Sequence, residues 1–309
     1  MTALVGRPSG QPTRRPAGAK ALIFGLVRSM RPRQWLKNVL VASAPFFAGR
    51  LPEVRVLTDV GLAFVVFCLI ASGVYLINDV RDVEFDRAHP TKRNRPIAAG
   101  IVPVRVAVVF GVALMGAGLA VAAFASTSGL LIDVAGYAAI SMAYCFFLKD
   151  QPVIDLAVIA SGFLLRTAAG GLATGIPLSQ WFLLVASFGA LFVAAGKRFS
   201  EFVAVGEQAA STRRSLAAYS ASYLRFLWGT AAAVTIIAYS LWAVEVNRRA
   251  GGGSWALISV APFVLGLLRY AVDIDNARAG TPEDIAYNDR VLQGLGVLWL
   301  VFIVIGITT

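Results

Sequence analysis

The chain has 309 residues, of which 58% are hydrophobic and 15% charged, against about a quarter charged in an ordinary soluble domain. That composition excludes a soluble globular protein and leaves a polytopic membrane protein. The formal charge of +11 would suggest nucleic-acid binding in a soluble chain, but here the cations sit in short loops between apolar runs. Topology and anionic headgroups account for them there, so nucleic acid is excluded as a partner.

Residues 1–30 read as a disordered basic tail, rich in Gly, Pro and Arg and without the apolar core of a signal peptide. Runs of about 20 mostly apolar residues then predict nine spanning helices, at 35–50, 57–77, 101–125, 128–147, 153–174, 179–198, 226–246, 254–271 and 291–308. The first is short and carries Pro45, which leaves a partly re-entrant course open. Lys and Arg concentrate in the amino-terminal segment and in the loops after the even-numbered spans, so the amino terminus and those loops are expected on the cytoplasmic side. Cys68 and Cys145 lie inside apolar runs and read as small buried hydrophobes. A lone His89 cannot make a zinc site.

At the end of the second span, Asn78, Asp79, Asp82 and Asp86 form the pattern N-D-x-x-D-x-x-x-D. On a helix all four share one face, because they are spaced three and four apart. Three carboxylates at a helix carboxyl end repel one another and oppose the helix dipole. Such a face is stabilised by a hard divalent cation, and magnesium characteristically combines one or two carboxylates with substrate phosphate oxygens. Asp79, Asp82 and Asp86 are therefore the expected magnesium ligands, with Asn78 beside them. The loop that follows carries Lys92, Arg93 and Arg95 around Pro90 and Pro96 and ends at Gly100. A basic loop next to a metal-binding face suits a polyanion such as a diphosphate, since the cations can take the oxygens that the metal leaves.

Tyr144 and Lys149 close the fourth span and Asp155 opens the fifth on the same side. All three are candidates to line the site, the alternative for the first two being an interfacial aromatic and a snorkelling cation. Arg166 lies three turns beyond Asp155 on the same face, at a depth where a charge faces a bundle interior or a polar cavity. It is either half of a structural pair or a contact to phosphate. Gly73, Gly170 and Gly171 permit close helix packing or equally leave room for a lipid groove, and both readings stay open. After the eighth span, Asp273 and Asp275 do not share a helical face, and with Pro282, Glu283, Asp284 and Asp289 they read as a capped, solvated loop, with a lesser role in gating or ribose contact left open.

Over residues 31–308 the acidic motif and the basic Arg-Pro stretch after it resemble the UbiA-type intramembrane prenyltransferases. The resemblance implies an all-α, nine-transmembrane-helix bundle with a cytoplasmic-side active site, a single catalytic domain over residues 31–309, and magnesium as cofactor. Members with aromatic acceptors usually carry a second aspartate-rich motif after helix six, where this chain instead reads Gly196, Lys197, Arg198, Phe199, Ser200 and Glu201. With Gln34, Trp35, Leu36, Lys37 and Asn38 before the first span, that departure resembles the phosphoribosyl-transferring branch of the family, which feeds arabinan synthesis in the cell wall of mycobacteria and their relatives. A multi-pass protein of the bacterial inner membrane is implied.

The implied donor is 5-phosphoribosyl diphosphate and the implied acceptor a polyprenyl (decaprenyl) phosphate, whose oxygen attacks ribose C1 as diphosphate departs. On this resemblance Asp79, Asp82, Asp86 and Lys197 are the expected catalytic residues. Lys37, Asn78, Lys92, Arg93, Arg95, Tyr144, Arg166, Arg198 and Glu201 are the expected substrate contacts. Lys197 and Glu201, four apart, make an ion pair as readily as a substrate clamp. A prenyl phosphate is already ionised, so no general base is required. The lipid bilayer is a further expected partner, and a homo-oligomer stays open. Two other readings compete: transfer of a prenyl group from its diphosphate to an aromatic acceptor, and a transporter for phosphorylated solutes, although no internal repeat supports the latter.

Overall fold

The computed structural model describes residues 18–308 except 126, 206–215, 217, 251–253, 281–284 and 286. In chain order these form α1 (Ala19–Ser29), a 3-10 segment (Pro32–Ala42), α2 (Ser43–Phe47), α3 (Val54–Arg81), α4 (Val83–Ala88), a 3-10 turn (Lys92–Asn94), α5 (Val104–Ala125), α6 (Ser128–Phe146), a 3-10 turn (Leu148–Asp150), α7 (Ile154–Thr174), α8 (Gln180–Val205), α9 (Ala221–Ala250), α10 (Trp255–Ile258), α11 (Val260–Asp275) and α12 (Arg290–Thr308). Among the described residues eight stretches are long and apolar enough to cross a membrane: α3, α5, α6, α7, α8, α9, α10 with α11, and α12. The chain is an integral membrane protein.

Two expectations need correction. The span expected at 35–50 is not one continuous α-helix but the 3-10 segment followed by the five-residue α2. Pro32 and Pro45 each remove a backbone donor, and tertiary contacts set the rest: a Cβ on Gly170 would lie 1.9 Å from the Val41 carbonyl oxygen, so this segment lies directly against α7. The second correction concerns the tail. Residues 1–17 lie outside the described residues, but 19–29, expected to be disordered, form α1. Leu22, Leu26 and Met30, spaced at one helical turn, pack with Leu76, Ile97, Val102 and Ala107, while Ile23 and Phe24 face outward.

α3 has 28 residues and at 1.5 Å per residue runs about 42 Å, past the roughly 30 Å of hydrocarbon in a bilayer. Its acidic end therefore emerges beyond the apolar zone. α3 packs closely on α5, where a Cβ on Gly73 would sit 2.5 Å from the Gly111 carbonyl oxygen, as the small residues permit. α7 is shared by two cores. Its Ala169 and Ala173 join Phe67, Leu130 and Tyr137 from α3 and α6, while its Leu156 joins Phe192, Leu224 and Ile274 from α8, α9 and α11. Arg166 is carried on this central helix.

Candidate active site

The N-D-x-x-D-x-x-x-D segment is nearly continuous helix. α3 ends at Arg81, Asp82 takes φ −90° and ψ 9°, and α4 begins at Val83. The Asp82 N–H still donates to the Asn78 carbonyl (3.0 Å) and that of Asp86 to the Asp82 carbonyl (2.8 Å), so the four polar side chains keep their common face. The basic loop then folds back over them. Gly100 at φ +77° allows the Ile101 and Val102 N–H groups to donate to the Pro96 carbonyl, which fixes Arg95 opposite the acids.

Each carboxylate is met by a cation. Asp79, buried, accepts from Arg31 (2.5 Å) and Arg95 (3.2 Å). Arg95 Nη1 also donates to Asp86 Oδ2 at 2.7 Å, so a single nitrogen bridges Asp79 and Asp86. Asp82 Oδ1 accepts from Lys149 Nζ at 2.6 Å, and Asn78 Nδ2 donates to its other oxygen at 3.3 Å. Arg31 is held in the left-handed region at φ 54°, unusual for a side chain of its size, with its guanidinium 4.9 Å from the Tyr75 ring centroid.

These groups surround a cavity of about 760 Å³. Of the expected site residues, Lys37, Asn78, Asp82, Asp86, Lys92, Arg95, Tyr144 and Arg166 line it, and Asp79 stands behind its wall. Sequence reasoning did not assign Arg31, Arg81, Tyr75 or Tyr137 to the wall, and it left Lys149 undecided; all five line it. Arg31 stands at the start of the expected catalytic domain, just before Pro32, and its partner Asp79 is 48 residues away, so no local pattern marked it. A second chamber of about 370 Å³, lined by Phe47, Phe182, Val185, Trp242, Phe263 and Trp299 among others, is almost wholly apolar. Phe163 forms part of both walls.

Four expected site residues, Arg93, Lys197, Arg198 and Glu201, lie elsewhere. Arg93 and Lys197 are exposed and do not line the cavity. Arg198 is buried and donates to Asp155 (2.8 Å) and to Glu201 (2.7 Å), so the pair that forms at this helix end is Arg198 with Glu201. Asp155 also accepts from the Tyr219 hydroxyl (2.8 Å), which in turn accepts from the Val153 N–H (2.6 Å). Burial pushes the Tyr219 hydroxyl above the usual phenol range; the Val153 N–H opposes the rise and Asp155 adds to it. Val153, at φ 68° and ψ −48°, turns the chain into α7 as the Ile154 N–H donates to the Pro152 carbonyl, the strained three-residue turn. Arg198 thus staples α8 to Asp155 of α7, with Glu201 bracing it from its own helix, away from the cavity.

The solvated loop expected around Asp273 and Asp275 is corrected: both belong to the last turn of α11, and Asp273 is buried. Asp275 pairs with Arg225 (3.0 Å), while Asp289 accepts from Arg269 (2.7 Å) and from the Val291 and Leu292 N–H groups at the start of α12. The Leu292 N–H foremost, with Arg269, holds the Asp289 carboxyl below the usual range. Pro282, Glu283 and Asp284 lie outside the described residues.

Among the described residues no three His, Cys, Asp or Glu side chains converge to form a metal cage by themselves. The expected three-carboxylate cluster is built instead as carboxylate–cation pairs. Asp82 and Asp86 nevertheless both face the cavity, and two hard oxygen donors beside a space for phosphate are the donor set magnesium takes. The residues present fit that ion, with its remaining ligands left to water and substrate.

An apolar helical bundle that opens a carboxylate-and-cation cavity at one end defines an integral membrane enzyme acting on a polyanionic substrate. The sequence signature of the UbiA prenyltransferase family matches residues 39–288, and the chain belongs to that family. It is 50% identical to decaprenyl-phosphate phosphoribosyltransferase of Mycobacterium tuberculosis, covering 90% of this chain and 93% of that one. It is 46% identical to the protein of the same name in Corynebacterium glutamicum, covering 93% and 88%. The structure of a UbiA homolog from Archaeoglobus fulgidus bound to GPP and Mg2+ superposes with a TM-score of 0.71 at 18% identity, over 92% of this chain and 98% of that one. The fold is shared.

Proposed function

We propose that this protein transfers 5-phosphoribose from 5-phosphoribosyl diphosphate to a polyprenyl phosphate, at the cytoplasmic face of a bacterial inner membrane. One observation carries the reading. The cavity wall presents Arg31, Lys37, Arg81, Lys92, Arg95, Lys149 and Arg166 against only Asp82, Asp86 and Asp150, an excess of positive charge suited to two anionic substrates meeting in one place. The 50% identity to a mycobacterial phosphoribosyltransferase over most of both chains supports the same substrates. Lys197 and Arg198 do not line the cavity and contribute nothing to this excess.

Asp82 and Asp86 would hold magnesium, which supplies charge neutralisation for the departing diphosphate. Arg95 and Lys149, each already aimed at these carboxylates, contact the remaining diphosphate oxygens, and Asp79 orients Arg31 and Arg95 towards them. An oxygen of the ionised lipid phosphate attacks ribose C1 and forms the new C–O bond. The C1–O bond to diphosphate breaks, and the electron pair leaves with diphosphate. No proton moves, so no residue need act as general base. The apolar chamber behind Phe163 suits the first part of the prenyl tail, leaving the lipid head in the polar cavity.

The experiment combines purified protein, magnesium, labelled 5-phosphoribosyl diphosphate and a polyprenyl phosphate, and looks for labelled lipid. If product forms only from a prenyl diphosphate and an aromatic acceptor, prenyl transfer replaces this reading.

A further inference from the structure

One buried cation lining the cavity is balanced by neutral groups alone. Arg166 is buried at 6% exposure and lies about 16 Å along α7 from Asp155, at 1.5 Å per residue. Its Nε donates to Asn38 Oδ1 (2.7 Å), Nη1 to the Gly162 carbonyl (2.6 Å) and Nη2 to the Tyr137 hydroxyl (2.7 Å). The guanidinium lies 4.6 Å from the Tyr137 ring centroid and 5.6 Å from that of Phe67. Arg198, the other buried arginine, is matched by Asp155 and Glu201; among the described residues Arg166 has no carboxylate at ion-pair distance.

Dipoles and ring faces orient a cation without cancelling its charge, and a buried charge left uncompensated is unfavourable. The three hydrogen bonds use three of the five N–H donors. The site is also shaped around the group: a Cβ on Gly162 would lie 3.3 Å from Nη1, and Asn38 is itself held by a 3.2 Å contact to Cys68 Sγ. Arg166 and Tyr137 both line the 760 Å³ cavity.

We propose that Arg166, oriented by Asn38, Tyr137 and Gly162, forms a phosphomonoester subsite at the floor of the cavity, separate from the carboxylates that serve the diphosphate. The inference deepens the phosphoribosyl-transfer reading and rests on it for its ligand, since the donor carries such a group on its 5-position and the lipid carries one at its head.

The test uses the full-length protein in detergent. Inorganic phosphate is titrated during thermal unfolding of wild type, Arg166→Gln and Arg166→Lys, without magnesium. Wild type should be stabilised by phosphate, and the glutamine variant should require about tenfold more phosphate or beyond for the same shift, the loss expected for a charge-assisted hydrogen bond. The lysine variant should fall between. Steady-state kinetics then assign the source. If the anchor serves the donor, Arg166→Gln raises the donor KM about tenfold, and the penalty vanishes with ribosyl diphosphate lacking the 5-phosphate. If it serves the lipid, the acceptor KM rises instead. Should Arg166→Gln not fold, Tyr137→Phe, which removes one orienting contact, carries the same comparisons. Equal phosphate responses in wild type and variant, or a lower Tm with both KM values unchanged, would overturn the subsite. A wild type that transfers no phosphoribose defeats the broader reading, while the phosphate titration still decides the subsite.

Discussion

Replacing Asp155 by Asn separates a structural Arg198 from a substrate-binding one. Asp155 is fully buried, Arg198 nearly so, and their nitrogen–oxygen distance is 2.8 Å. Removing one member of a buried ion pair costs about 3–5 kcal/mol, because the other charge is left without compensation. Glu201 still holds Nη1 at 2.7 Å and is 36% exposed, which places the loss near the lower end, about 3 kcal/mol. At about 2.1 cal/mol/K of unfolding entropy per residue, that corresponds to a fall of roughly 5 °C in Tm for this 309-residue chain. The Tyr219 hydroxyl keeps an acceptor in the Asn Oδ1, so the loss reports the charge. The assay is thermal unfolding of the detergent-solubilised protein, read beside the KM for the donor. Asp155→Asn should lower Tm and leave KM within about twofold, and adding Arg198→Gln should restore part of the stability, as coupled neighbours do. An unchanged Tm with a raised donor KM would refute the staple and return Arg198 to the substrate.

Asp82→Asn should reduce kcat/KM on the order of a hundredfold or more, and chelation with EDTA should produce a comparable loss in wild type, while folded yield stays unchanged; normal turnover in the variant would contradict the metal assignment. Gly170→Ala should destabilise the protein by about 3 kcal/mol through overpacking, since its Cβ would meet the Val41 carbonyl oxygen at 1.9 Å, whereas Gly61→Ala, with nothing within 4 Å, should be neutral or stabilising; chemical unfolding compares them. Tyr219 donates to Asp155 only while protonated, and its folded hydroxyl titrates above the ordinary phenol value of about 10. Its contribution is therefore complete below about pH 10 and is lost as pH rises past that. Tyr219→Phe should lower Tm at neutral pH and flatten the alkaline decline, and an alkaline decline identical to wild type would count against the assignment.

The eight long helices were legible because twenty-residue apolar runs carry their own signal, and the acidic motif was legible because its spacing is helical. What eluded sequence reasoning was set by contacts distant in the chain. Arg198 stands where the family resemblance suggested a substrate cation, yet its partner is 43 residues earlier, and no periodicity connects them. Lys149 was left between snorkelling and site, and its 2.6 Å bond to Asp82, 67 residues away, decides for the site. The Pro45 segment departed from a straight span because a carbonyl of the 3-10 turn fits against bare Gly170, which apolarity alone does not encode. α1 was hidden because its mostly apolar residues are too few for a span and follow directly on a Gly-, Pro- and Arg-rich stretch.

The chamber behind Phe163, at about 370 Å³, has the dimensions of a pocket for a small molecule, far short of a long isoprenoid. On the proposed reading it grips only the units nearest the head and leaves the remainder dissolved among neighbouring lipids. Such an enzyme would be blind to overall chain length, and truncated, water-manageable acceptors would report its chemistry faithfully.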